Sequence, residues 1–146
     1  MKDIVKDLED RLALLNVRHE VAFAMFTGHY PYPEVAARLE EGLHEGNQDT
    51  VKRVQAVVDP ADMDSAEFWA TPLGVLLFAA GGYPRPMVPQ AVVVSVLRCS
   101  RQYVHELLVS KKLLSVATPV GSTVTRMVDA KGVQALVKKK IDRLVK

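Results

Sequence analysis

The chain has 146 residues, 49 % of them hydrophobic and 25 % charged, with 19 Lys or Arg against 17 Asp or Glu. That length suits one compact domain or two small ones, and the apolar share supplies a core only if the pieces pack together. The longest apolar run, Pro72 to Ala80, is too short to span a bilayer. The first residues, MKDIVKDLEDR, are charged and lack the apolar region of a signal peptide. A single cysteine, Cys99, excludes an internal disulfide framework, so a cytoplasmic setting without a membrane partner is expected.

In chain order, Val5, Leu8, Leu12 and Leu15 recur at helical spacing among Asp3, Lys6, Asp7, Glu9 and Asp10. This predicts an amphipathic helix whose stripe is either a short coiled-coil seam or, by a slight margin, one face of an intramolecular bundle. Val21 to Phe26 is too apolar for a solvent-facing helix, and Thr27, Gly28 and HYPYP at 29–33 break it. A second helix is expected from Pro33 through Val35, Leu39 and Leu43 to Gly46. Asp49 is expected to cap a third, carrying Val51, Val54, Val57 and Val58 until Asp59 and Pro60 stop it. Asp64 with Glu67 reads as a capping box opening a helix through Phe68 and Trp69. Thr71 before Pro72 reads as a fresh cap for a helix to Ala80, ended by Gly81 and Gly82. Tyr83 to Pro86 is a stiff connection, and a domain boundary is placed there, dividing the chain into 1–84 and 85–146.

The segment 88–113, VPQAVVVSVLRCSRQYVHELLVSKKL, carries the densest pattern. A first helix would turn Ala91, Val94 and Val96 or Leu97 inward, Arg98 and Cys99 would turn the chain, and Ser100 would cap a second helix. That second helix would bury Val104, Leu107 and Leu108 and expose Arg101, Gln102, His105 and Lys111 or Lys112. In a DNA-binding helix-turn-helix the second helix enters the major groove by its N-terminal turns. Arg101 there offers a bidentate fork to guanine and Gln102 a donor and acceptor pair to adenine. Tyr103, on the flank, can pack on sugar or a thymine methyl with its hydroxyl toward a phosphate, and His105 can meet a base or a phosphate. Ser100 leaves the first helical amides pointing at a phosphate.

Through SRQYV and SKKL the segment resembles the excisionase-like and MerR-like winged helix-turn-helix modules, and the likeness spans about residues 87–146. The resemblance implies that LSVATPVGSTVTRMVDAKGVQALV forms a two-stranded wing followed by a helix opened by an aspartate. Val116 to Pro119 and Val124 to Val128 read as the strands, around a tip at Gly121 and Ser122. Asp129 reads as the cap of a helix through Val133, Leu136, Val137, Ile141 and Leu144. The resemblance also implies a wing contact to DNA, here through Thr123, Thr125 and Arg126. The turn position that the family fills with glycine is Arg98, so a left-handed arginine costing on the order of 1 kcal/mol is expected.

Charge is strongly partitioned. Residues 85–146 hold 12 basic and 3 acidic residues, a net of plus nine, whereas residues 1–84 hold 7 basic and 14 acidic residues, a net of minus seven. A basic half is what a polyanion selects, although Lys138, Lys139 and Lys140 read equally well as a solvated tail. His19, His29, His44 and His105 show no ligand spacing with each other or with Cys99, and no glycine-rich phosphate loop occurs, so no metal, cofactor or enzyme activity is expected. The expected architecture is mainly α, an acidic N-terminal helical domain followed by a basic winged helix-turn-helix with a small β-hairpin. The expected function is sequence-specific binding of double-stranded DNA, as a transcriptional regulator or a phage or plasmid excision factor. The major groove would be read by Ser100, Arg101, Gln102, Tyr103 and His105, with phosphates held by Lys111, Lys112 and Arg126. A homodimer is expected because one recognition helix covers few base pairs. The alternative is a protein-interaction module or antitoxin-type adaptor, docking a partner through the acidic domain or the winged helix.

Overall fold

The computed structural model describes residues 2–18, 32–120 and 123–145. Six helices come first: α1 Lys2–Arg18, α2 Tyr32–His44, α3 Gln48–Val57, α4 Pro60–Met63, α5 Ala66–Ala70 and α6 Pro72–Ala79. The order then runs β1 Met87–Pro89, α7 Gln90–Leu97, α8 Arg101–Val109, β2 Ser115–Val120, β3 Thr123–Asp129 and α9 Ala130–Val145. The protein is therefore mainly helical with one small antiparallel sheet, in the order β1-β3-β2. No helix among the described residues is long and apolar enough to cross a membrane.

Helix α6 lies at the centre because its sequence, PLGVLLFA, is apolar on every face and has no side to give to water. Pro72 starts it, and the Thr71 hydroxyl accepts a hydrogen bond from the Gly74 amide at 3.1 Å. Leu73, Leu76, Leu77 and Phe78 are buried against α1, α2, α5, α7 and α9. Gly74 permits the close turn from α5, since a Cβ there would collide with the Phe68 carbonyl and stand 2.8 Å from the Trp69 Cα. Trp69 is fully buried, donates from Nε1 to the Met63 carbonyl at 2.9 Å, and meets Phe68, Phe78 and Tyr83 edge-on at centroid distances of 5.0, 5.7 and 5.1 Å.

The apolar stripe of α1 is an intramolecular face: Ile4, Leu8 and Leu12 are buried, Val5 half-buried, and the helix packs on α2, α3 and α6. Arg11 ties it to α4. Its guanidinium bonds Asp7 at 2.7 Å and Asp62 at 2.8 Å and lies 5.1 Å over the Phe68 ring. Burial opposes that charge, but the bonds to Asp62 and Asp7 outweigh it and hold the Arg11 pKa above its ordinary value. The stretch Val21 to Phe26 and its break at 27–31 lie outside the described residues.

Several local expectations need correction. Asn47, not Asp49, caps α3, accepting from the Thr50 amide at 3.2 Å, while Asp49 sits in the first turn. Asp59 and Pro60 end α3 but also open the one-turn helix α4, with Asp59 accepting from the Ala61 amide at 2.9 Å. The Asp64–Glu67 capping box does not form. Ser65 occupies the cap of α5 without a side-chain bond, and Asp64 instead pairs with Arg85 at 2.8 Å. Met87–Pro89 is a strand rather than the approach to a helix, paired with β3 from Met87 opposite Asp129 to Pro89 opposite Met127. One buried cluster runs without interruption from Ile4 to Ile141, so residues 1–84 and 85–146 share a core, with α5 and α6 packed on α7 and α6 on α9.

Candidate nucleic-acid interface

Helix α7 holds α8 in place. It buries Val92, Val93, Val96 and Leu97, whereas Ala91 is exposed and Val94 only half-buried, so the inward face is rotated from the one expected at Ala91 and Val94. The helix closes in a Schellman arrangement, the Arg98 amide donating to the Ser95 carbonyl at 3.2 Å and the Cys99 amide to that of Val94 at 3.2 Å. Arg98 takes the left-handed conformation expected of it, φ 50° and ψ 48°. Its guanidinium donates to the Ala70 carbonyl at 2.9 Å, at the C-terminus of α5, where a cation also suits the helix dipole.

Ser100 caps α8, its hydroxyl accepting from the Tyr103 amide at 3.1 Å. Val104 and Leu107 are buried and Leu108 half-buried, which fixes the inward side of the helix. At about 100° per residue, the outermost ridge is then Gln102, His105, Glu106 and Val109, with Arg101 on one flank and Tyr103 on the other. All six are exposed, and no acid among the described residues pairs with Arg101 or His105. Glu106 gives no signal of its own in the sequence, where it is one polar position among others on the helix. On this ridge its carboxylate can accept from the exocyclic amine of cytosine.

Lys111 and Lys112 are exposed beyond the other end of α8, about 13 Å along the axis from its first residue. Here too the helix closes in a Schellman arrangement, the Lys112 amide donating to the Leu107 carbonyl at 3.0 Å and the Lys111 amide to that of Leu108 at 3.2 Å. Lys111 occupies the left-handed position, φ 59°. Leu113 is buried immediately afterwards and returns the chain to the sheet.

The strands after it pair from Ser115 opposite Val128 to Val120 opposite Thr123, which places Thr125 opposite Thr118 and Arg126 opposite Ala117. The side chains of Thr123, Thr125 and Arg126 lie outside the described residues, as does the tip at Gly121 and Ser122. Asp129 ends β3 and caps α9, accepting from the Gly132 amide at 3.2 Å. Val133, Val137 and Ile141 are buried as expected, with Leu136 half-buried.

Beside the start of α8 lies a cleft of about 340 Å³ lined by Leu97, Arg98, Cys99, Tyr103, Leu136, Lys139 and Lys140. No carboxylate among the described residues lines it. The Lys140 ammonium bonds the Leu97 carbonyl at the end of α7, so α9 is tied to the turn. Cys99 is half-buried; burial pushes its thiol pKa up, and the nearby Lys140 charge opposes that only in part. No group of three His, Cys, Asp or Glu side chains that could hold a metal ion occurs among the described residues. No family model, curated protein or solved structure matches the chain.

Proposed function

We propose that the protein is a non-catalytic, sequence-specific binder of double-stranded DNA, with α7 and α8 as a helix-turn-helix, β2 and β3 as its wing, and α8 reading the major groove. The observation that carries this reading is the exposed face of α8, where Arg101, Gln102 and His105 stand together beside a capped N-terminus, Arg101 and His105 without an ion pair among the described residues and Glu106 the one acid on the ridge. Ser100 is engaged in the cap, so its contribution is to aim the first-turn amides at a phosphate. Arg101 and Gln102 are assigned to base edges, Tyr103 and His105 to the flanking backbone or bases, and Lys111, Lys112 and Arg126 to phosphates. Thr123 and Thr125 belong to the proposed wing contact. A regulatory or excision role and binding as a pair of copies on half-sites about 34 Å apart complete the reading.

Titration of a selected duplex and a random duplex across salt concentrations tests it. Arg101→Ala is expected to weaken the selected site by about 1–3 kcal/mol and relax its sequence preference, whereas Lys112→Ala weakens all duplexes alike and lowers the salt slope by about one. Identical losses on both duplexes for both variants would refute the division of roles. Sedimentation of the same mixtures showing a single copy on the selected duplex would remove the paired arrangement.

Exposed apolar residues favour a second reading, a protein-interaction module. Val109, Leu114 and Val116, at the far end of α8 and the start of β2, are 68, 66 and 57 % exposed. A protein that leaves a random-duplex column at low salt, without the steep salt dependence of phosphate contacts, would favour that reading over DNA binding.

A further inference from the structure

The lysine run of α9 divides between two surfaces. Lys138 points to a separate cleft against α2 and α6, which it lines together with Glu40, His44 and Asp142. Lys139 and Lys140 instead line the cleft beside the start of α8, with Arg98 and Tyr103. Two of the three cations there are already held, Arg98 by the Ala70 carbonyl and Lys140 by the Leu97 carbonyl. Lys139 is exposed and has no acid partner among the described residues. A concave surface whose charged lining among the described residues is all cationic concentrates positive potential, and the fixed positions of Arg98 and Lys140 remove the ordering cost that a flexible lysine tail would carry.

This placement matters because Tyr103 belongs both to the cleft and to the flank of α8. A major groove is about 12 Å wide, so a helix inserted in it has a sugar-phosphate strand running along each side. With α8 so inserted, the strand on the Tyr103 side would border the cleft that Tyr103 lines. We infer that the cleft between the α7–α8 turn and α9 is a phosphodiester site, in which Lys139 grips the DNA strand bordering the groove that α8 enters. The inference rests on the DNA-binding reading and adds α9 to the interface. The Lys138–Lys140 run is then not a uniform solvated tail: Lys139 binds, Lys140 latches α9 to the turn, and Lys138 faces elsewhere.

The test uses the full chain and a random-sequence duplex, since a phosphate contact is independent of sequence. Lys139→Ala is expected to lower the slope of log affinity against log salt by about one and to weaken binding roughly five- to tenfold near 0.1 M salt, with Lys138→Ala unchanged. Thermal melts of both variants are expected to match the parent. Cys99 lines the same cleft, so the duplex is also expected to slow its alkylation in the parent protein. If Arg101→Ala impairs binding to the selected duplex while Lys139→Ala keeps the parent slope and Cys99 stays as reactive as before, the phosphodiester site is wrong and the DNA reading stands. If the parent protein does not bind the duplex at all, both fall.

Discussion

The acidic and basic halves end their helices differently. In the first half, α2 and α6 close on left-handed glycines, Gly46 at φ 71° and Gly81 at φ 89°, with the Schellman bonds Asn47 to Gly42 and Gly82 to Leu77. In the second half, α7 and α8 close with the same bonding but on Arg98 and Lys111. The left-handed conformation costs a residue with a Cβ about 1–2 kcal/mol, and glycine avoids it. Charge pairing sets the surroundings of α8 apart. Arg11 and Lys6 pair with Asp7, Asp62 and Asp10 within the first half, and Arg85 of the second half pairs with Asp64 of the first, whereas Arg101, Lys111, Lys112 and Lys139 have no acid partner among the described residues. The first half closes these two helices without strain and pairs Lys6 and Arg11 internally; around α8 the second half does neither. Left-handed Arg98 and Lys111, with Arg101 and Lys139 unpaired among the described residues, give this surface the strain and positive potential on which the proposed DNA site draws.

The largest expected effect tests whether these are two regions of one folding unit. Trp69 is fully buried where α5, α6 and the Tyr83 ring meet, and its neighbours belong to the cluster that continues through α7 to α9. Trp69→Ala is expected to cost about 3–5 kcal/mol, a large part of the stability of a domain this size. Helical circular dichroism and duplex binding are expected to be lost in the same thermal transition. A variant that lost half its helical signal but still bound duplex would show that the basic half folds by itself.

The sequence discloses the structure best where a side chain acts within a few residues of itself. The caps at Thr71, Ser100 and Asp129 and the left-handed turn at Arg98 were all legible, because each is a local bond or a local steric position. Partners distant in sequence were not. Asp64 resembles a cap but is taken by Arg85, 21 residues away, and β1 is three residues long with its partner strand about forty residues downstream. The inward face of α7 was also obscured, since the run Val92–Val93–Val94 gives almost no contrast between faces and only packing against α5 and α6 decides it. Of the proposed site, the exposure of α8 could be read from its spacing. The approach of Lys139 and Lys140 to the α7–α8 turn could not, because it depends on how α9 folds back.

A paired substitution sharpens the contrast between helix ends. Lys111→Gly relieves the left-handed strain and is expected to stabilise the fold by about 0.5–1 kcal/mol, the relief being partly offset by the greater freedom of glycine in the unfolded chain. The same change removes a proposed phosphate contact and is expected to weaken duplex binding. Arg98→Gly relieves the same strain but gives up the bond to the Ala70 carbonyl, worth about 1 kcal/mol at an exposed position, so its stability is expected to change little. Denaturant unfolding of the two variants checks this. Equal stabilisation of both would mean that the Arg98 bond contributes nothing, and a stabilised Lys111→Gly that bound duplex normally would separate the strain from function.

The smallest effect concerns how far the uncompensated charge reaches. Alkylation requires the thiolate, so the rate at Cys99 follows its ionisation. Burial places that pKa above the ordinary thiol value, which means the group stays protonated across the neutral range and its alkylation rate climbs only at higher pH than that of an exposed cysteine. The Lys140 charge acts in the opposite direction, favouring the thiolate. Lys140→Met is therefore expected to move the rate profile further up in pH and to slow iodoacetamide modification at any fixed pH below the inflection. A faster reaction would mean that the bond from Lys140 to the Leu97 carbonyl governs access to the thiol, and that the basic surface acts on the turn as a latch rather than through its field.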